Sequence, residues 1–401
     1  MIYHNYLTGK EIQAMSNNTT VLTNLLRHIE RSDFEKAVRD HNGDKKTRRL
    51  STFNMFKVLV YGQITSAYSL REIESSLAVN SSKLYHSGFK ETKRSTLCDA
   101  LEKRPHEIFE KVFYGLVEKA RFLTANSNRR FKNPLKIIDA STIDLCLSRY
   151  DWAKFRTTKG AVKLHVKIDG DNLYPEQTIL TTGSVHEVNE MSNLCSNSGE
   201  IYVMDRGYVD FKRLYDIELS DSFFVTRMKS NCQHTICKKL STSKNDPVRL
   251  DALVYLTGTK ALESYPKEFR KIVYHDDEYD KNYIFITNNL KLSALEIAEI
   301  YKARWQIEIF FKWIKQNLKI KTFWGTSRNA VFIQIWVALI VALLLWIHKS
   351  VSKIQASAQR ILQMLKTTIL TKNSVAGIFC RNCHPEPPII NRQLFFDGWR
   401  I

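Results

Sequence analysis

Residues Tyr301–Lys315 read YKARWQIEIFFKWIK. Tyr301, Arg304, Glu308, Lys312 and Lys315 stand at offsets 0, 3, 7, 11 and 14. On a continuous α-helix, at about 100° per residue, these five fall within a stripe of roughly 80°. Ala303, Ile307, Phe310 and Ile314 make the opposite side apolar. The spacing predicts one helix, beginning near Ser293 and running past Lys315, packed on a core by one face. Its other face presents an acid, several cations and a phenol. Charge on a helix is most often only its solvated side, but this row also suits a polyanion.

The rest of the composition agrees with such a partner. The chain has 401 residues and a formal charge of +19, with a pI near 9.5. That length supports two or three domains with real cores. A strong positive excess spread along the chain points to a folded protein with DNA or RNA as partner, ahead of a membrane surface. Seven cysteines, an odd number without framework spacing, suggest free thiols in a reducing compartment. Cys380, Cys383 and His384 form a CxxCH string, and Cys232 and Cys237 a second close pair. Neither has the matching partner that a zinc site or haem attachment needs. The opening MIYHNYLTGKEIQ has no charged segment leading into an apolar core, so no secretory leader is expected. The apolar run Ile335–Ile347, IWVALIVALLLWI, is shorter than the ~20 residues a bilayer requires. It is expected to be a buried core helix, with no membrane partner.

Periodicity divides the chain. From about residue 16 to 125, apolar residues recur at helical spacing. Ser69 and Glu72 open SLREIESSL in a capping-box arrangement. The block from there to Arg104 resembles helix–turn–helix–loop–helix, rich in groups for phosphate contact. At Asn133 and Pro134 the period changes. LKIIDASTIDLCLS, AVKLHVKIDGD and PEQTILTTGS read as strands, with a tight turn at IDGDN. EVNEMSNLC reads as a helix, IYVM as a buried strand, DFKRLYDI as a helix and SFFVTRMK as a strand. VRLDALVYL, RKIVYHD and NYIFITNNL then suggest a β-rich insertion before the helix near Ser293. The expected class is α/β with helices on the faces of a sheet.

Two acids end apolar runs: Asp139 after LKII and Asp205 after IYVM. A carboxylate at the end of a buried strand is costly unless paired or metal-bound, and such ends are where α/β sheets place ligands. With Glu308 they are three carboxylates from three elements. Mg²⁺ takes one or two carboxylates plus phosphate oxygens, and two ions ~4 Å apart can drive phosphodiester chemistry. Each acid has a plainer alternative. Asp144 rivals Asp139, and Asp205 opens a turn-like DRG. His165, in KLHVKID, could face the site but reads more simply as a strand histidine.

The spacing Tyr, two residues, Arg, three residues, Glu, six residues, Lys resembles the YREK signature of DDE-type transposases of the bacterial insertion-sequence family-four group. Here it falls on Tyr301, Arg304, Glu308 and Lys315. IIDAST and VMDRGY resemble the first and second catalytic aspartate blocks of that group. YGQITSAYSLREI and ITNN extend the likeness from about residue 20 to 370. The resemblance implies an RNase H-like catalytic domain at 131–328, with the β-rich insertion at about 230–285. An all-helical DNA-binding domain at 1–130 would precede it, and a C-terminal helical region and tail at 329–401 would follow. Asp139, Asp205 and Glu308 would bind two Mg²⁺ (or Mn²⁺) ions. Tyr301, Arg304 and Lys315 would contact DNA, with Lys312, Arg206 and Trp305 as further candidates. The implied reaction is cleavage at element ends and strand transfer. Partners would be terminal inverted repeats and target DNA, with a dimer on DNA, in the cytoplasm at the nucleoid. A metal-dependent nuclease of the same fold, or an inactive DNA-binding regulator, are the alternatives.

Overall fold

The structure is a computed structural model and describes residues 19–240 and 247–381. They form two compact units. One comprises the described residues up to Asn126, the short piece Asp144–Ala153, and the described residues from Phe310 onward. The other comprises Ser127–Ile143 and Lys154–Ile309.

The first unit is helical. Its centre is the Arg328–Ser352 helix, in which every residue from Ala330 to His348 is buried. This helix is longer than its apolar run, because polar residues at both ends extend it to 25 residues. By length and composition it could cross a membrane, yet its most apolar window is wholly buried in the protein. Glu107–Thr124, Thr52–Ile64, Arg94–Lys103 and Ala358–Thr368 pack around it. Hydroxyl caps set several starts: Ser51, Ser69, Ser327 and Ser357 each accept a backbone N–H of the first turn. The Ser69 box is only half reciprocal, since Glu72 takes the N–H of Tyr68 instead of that of Ser69. Gln334 is the polar exception on the central helix. Its amide donates to Lys319 O at 2.6 Å and accepts from Trp324 N at 2.8 Å. The segment after the Glu308 helix is thereby fastened to the helical core.

The second unit is built on a ten-stranded sheet of order β2-β3-β1-β5-β6-β10-β9-β8-β7, with β4 paired to β3. Its strands are β1 (Leu135–Leu145), β2 (Lys154–Arg156), β3 (Lys159–Asp169), β4 (Pro175–Thr182) and β5 (Ile201–Met204). The series continues with β6 (Phe223–Arg227), β7 (His234–Lys239), β8 (Val248–Leu256), β9 (Phe269–Asp276) and β10 (Lys281–Thr287). β1, β5 and β6 run parallel; β10 joins β6 antiparallel, and β9, β8 and β7 follow as an antiparallel meander, while β2 and β4 pair antiparallel with β3 beyond β1. The β-rich stretch therefore extends the same sheet. β2 and β7 are strands that the sequence pattern does not disclose; β7 is exposed along most of its length, so it lacks the alternation that marks a half-buried strand. EVNEMSNLC forms a 3₁₀ turn at Glu187–Glu190 and a single helical turn at Met191–Leu194, less helix than its text suggests.

Charge is buried where strands need tying. Lys136 on β1 lies 2.9 Å from Asp169, 2.7 Å from Glu176 and 3.8 Å from Glu200, all nearly excluded from solvent. Gly170 in the β3–β4 turn is required by close approach: a Cβ there would lie 2.9 Å from the Leu135 carbonyl oxygen.

The predicted single helix through Tyr301–Lys315 is two helices, Ala294–Ala303 and Trp305–Asn317. Between them the chain tightens: Arg304 N–H bonds to Tyr301 O at 3.1 Å, and Ile307 N–H to Arg304 O at 3.2 Å. These are i→i−3 bonds of the 3₁₀ kind. They interrupt the uniform rotation that would keep Tyr301 and Lys315 on one stripe. Ile307, Phe310 and Ile314 are buried as the apolar face requires, with Trp313 beside them; Ala303 is only half-buried.

Candidate active site

Strand register brings the two aspartates together. β1 and β5 are parallel neighbours, with Ile137 opposite Val203 and Ile138 opposite Met204. Asp139 and Asp205 are the next residues on each chain, at the same end of the parallel pair. Asp139 remains on β1, its Oδ1 accepting the N–H of Ala140 at 2.8 Å. Asp205 leaves β5 and caps the 3₁₀ turn Arg206–Tyr208, its carboxylate accepting the N–H of Arg206. Thr226 on β6 donates to Asp205 O at 3.2 Å.

Glu308 comes from the first turn of the Trp305–Asn317 helix. Arg304, at the joint, bonds to Glu308 and places Nη1 3.5 Å from Asp139 Oδ2. One guanidinium thus spans the carboxylates of the first and third elements. Asp139 is held in a poorly solvated position. Burial pushes its carboxyl up to about 7, Glu187 and Asp205 act in the same direction, and the Ala140 N–H and Arg304 oppose them. Tyr301 packs its ring on Phe285 of β10, centroids 4.8 Å apart. Its hydroxyl is shifted upward by burial first, with Asp205 adding to the shift and Arg304 opposing it.

The other candidates are more scattered. Lys312 and Arg206 are exposed, and Trp305 is 55 % exposed on the outer side of its helix. Lys315 is half-buried and feels Lys321 and Asp144. Asp144, the rival of Asp139, is exposed and groups with the helical unit. His165 is fully buried on β3, bonded to Thr181 across to β4 at 2.9 Å, and burial lowers it to about 4. It is a packing residue. Cys232 and Cys237 are free thiols; of the CxxCH string, Cys383 and His384 lie outside the described residues.

Two further residues bear on these acids, neither of them among the candidates. The charge of Glu187, in the 3₁₀ turn after β4, helps to raise Asp139, and Asp139, Glu187 and Asp205 add to the upward shift that burial gives the Tyr208 hydroxyl. Carboxylates are the donor chemistry that a hard divalent cation takes. Tyr208 Oη is buried and has no hydrogen-bond partner among the described residues. Among the described residues no three His, Cys, Asp or Glu side chains converge on one point; Arg304 stands between two of these acids.

Residues 130–344, more than half of the chain, match the family model described as the transposase DDE domain. Residues 17–90 match a domain of unknown function (DUF4372). A Geobacillus stearothermophilus protein named probable transposase for insertion sequence element IS5377 is 28% identical over 340 residues, spanning 84% of this chain and 87% of that protein. A Sinorhizobium fredii protein named as transposase y4zB is 30% identical over 299 residues, spanning 74% of this chain and 81% of that one. The cryo-EM structure of a piggyBac transposase synaptic complex with hairpin DNA aligns with 95% of this chain and 83% of that one, at 10% identity and a TM-score of 0.45; so distant a likeness bears on neither fold nor mechanism. The chain belongs to the DDE-domain transposases. It is a DNA transposase of the insertion-sequence kind.

Proposed function

We propose that this transposase is of the family-four, YREK type, and that it cuts DNA at the ends of its element and joins those ends to target DNA. The parallel register that sets Asp139 beside Asp205, with Arg304 linking Asp139 to Glu308, carries this reading. On it, β1 to β6 and the Glu308 helix are the RNase H-like core, and residues about 230–285 are its β-rich insertion. Residues 1–130 read terminal repeats, and 329–401 are a C-terminal helical region and tail.

Asp139, Asp205 and Glu308 would hold the divalent cations, two Mg²⁺ or Mn²⁺ ions. When bound, such ions activate the attacking oxygen and stabilise the leaving one. The protein's own groups do the rest. Arg304, forked and always charged, turns from the carboxylates to a DNA phosphate near the scissile bond. Tyr301 fixes the sugar–phosphate beside it from its seat on Phe285. Lys315, Lys312 and Arg206 add charge along the strand, and exposed Trp305 offers a ring for stacking. Water attacks in the first cut; a 3′-hydroxyl attacks in strand transfer. Work on two ends calls for a dimer assembled on DNA, in the cytoplasm at the nucleoid.

The test is cleavage of DNA carrying the element's ends, with Mg²⁺ or Mn²⁺, by wild type and Glu308→Gln, with DNA binding measured in parallel. Cutting at the ends that is lost in the variant while binding persists supports the reading. Equal cutting by both removes Glu308 from the chemistry. Metal-dependent cutting without end joining indicates a nuclease, and binding without cutting a DNA-binding regulator.

A further inference from the structure

Arg227 is the last residue of β6, the third strand of the parallel set. Val203 lies opposite Val225, so two residues further along each chain Asp205 and Arg227 come level, as Asp139 and Asp205 do on the other side. Thr226, the residue before, reaches the Asp205 carbonyl oxygen with its 3.2 Å bond. The end of the parallel strands that carries two acids therefore carries one cation beside them.

A ring holds that cation, and no acid does. The guanidinium carbon of Arg227 stands 5.1 Å from the ring centroid of Tyr283 on β10. Tyr283 lies nearly parallel to Phe285, at 7° with centroids 6.3 Å apart. Phe285 is opposite Arg227 in the strand register and carries Tyr301, over which Arg304 lies at 5.7 Å. Two arginines thus flank one strip of three rings, and their partners differ. Arg304 is engaged by Asp139 and Glu308. Arg227 is half-buried and, among the described residues, makes no ion pair and no side-chain hydrogen bond. A charge withdrawn from water without a counter-ion is costly, and a ring face orients a guanidinium without neutralising it. Its five N–H donors remain available in a fixed fork, the geometry that matches a phosphate.

We propose that Arg227 binds a backbone phosphate of the DNA strand being cut, close to the scissile bond, with Tyr283 as the ring that aims it. The proposal rests on the reading of Asp139, Asp205 and Glu308 as the site of cleavage. From β1 to β6 is two strand spacings, about 10 Å, which at ~3.4 Å per nucleotide puts that phosphate within about three nucleotides of the cut.

Binding of the full chain to element-end DNA without divalent metal tests this, with phosphates of the cut strand replaced one at a time by neutral methylphosphonate. In wild type, replacing the phosphate that Arg227 holds should weaken binding about 10-fold, the effect typical of a hydrogen bond to a charged group. Arg227→Gln, with the circular dichroism of the fold retained, should bind intact DNA weaker by about that factor and be indifferent to replacement at that one position. Arg227→Lys, a point charge in place of the fork, should keep part of the effect there. A merely structural Arg227 would weaken binding and leave the pattern of sensitive phosphates unchanged, which overturns the proposal. So does a lost position more than about three nucleotides from the cut. Cutting of the same DNA with Mg²⁺ by wild type and Glu308→Gln separates the two ways of failing. An unchanged pattern with cutting lost in Glu308→Gln removes Arg227 alone. Equal cutting by both means that these acids are not the site, and the role of Arg227 falls with them.

Discussion

Arg304 and Asp139 lie 165 positions apart in the chain, and the guanidinium Nη1 of one stands 3.5 Å from the carboxylate Oδ2 of the other. The same guanidinium bonds to Glu308. One arginine therefore contacts two of the acids proposed to bind cations. Arg304 can hold both because its fork presents two parallel donor pairs. Arg304→Ala should lower single-turnover cleavage of element-end DNA on the order of 10²–10³-fold, as removal of one preorganised charge-stabilising donor does elsewhere. Arg304→Lys should restore little, since an ammonium cannot span both acids. Wild-type cleavage by Arg304→Lys would show that charge alone suffices.

Asp139 gives a pH dependence with a definite sign. Its carboxyl sits at about 7 in the folded protein against 3.8 ordinarily. Between those values the native state keeps a proton that the unfolded chain has released, so this group's contribution to stability falls as pH rises. Above about 7 both states are ionised and the loss is complete. Asp139→Asn cannot titrate. The stability of wild type minus that of Asp139→Asn, from urea unfolding without divalent metal, should decline from pH 4 to pH 7 and then level off. A flat difference would show that Asp139 is not held in its protonated form.

Asp251 on β8 and Arg270 on β9 form a buried bidentate pair, with contacts of 2.8 and 2.6 Å. Arg270 also donates to Leu292 O, just before the capping box at Ser293 and Glu296 that starts the Ala294–Ala303 helix. Removing one partner leaves a buried charge. Asp251→Ala should cost about 3–5 kcal/mol, whereas an apolar pair such as Asp251→Leu with Arg270→Met should cost much less. Urea midpoints of the single and double variants decide this; equal losses would mean that the pair itself supplies the stability.

The excess of cations should appear in the salt dependence of DNA binding. At +19 overall, the observed association constant should fall linearly in log–log form with salt, with a slope of about −0.9 per phosphate neutralised. Lys312→Ala should reduce that slope by about one and weaken all sequences alike, the behaviour of a phosphate contact. A change confined to element-end DNA would make Lys312 a base reader.

Local pattern disclosed a good deal of this. LKII and IYVM are continuous apolar runs and became β1 and β5, the inner parallel pair; an acid ending each was visible because charge on a buried strand is exceptional. Helical periodicity before residue 125 was equally plain. β7 stayed hidden because its six residues are mostly exposed. Their place in the sheet is fixed by pairing with β8, which local text does not record. The break at Arg304 was also hidden. A shift from i→i−4 to i→i−3 bonding changes no residue, only the turn between them.

The sequence by itself marked the candidates for the chemistry. Asp139, Asp205, Glu308, Tyr301, Arg304 and Lys315 were identifiable from type and spacing, because acids at strand ends and a fixed row of polar groups are local features. Tertiary structure alone decided which of them meet. Parallel register brings Asp139 beside Asp205, the joint before Trp305 turns Arg304 onto Asp139 and Glu308, and the packing of two 3₁₀ turns brings Glu187 to Gly207. Those proximities depend on strand pairing and on bonds between residues far apart in sequence, which residue spacing along the chain does not encode.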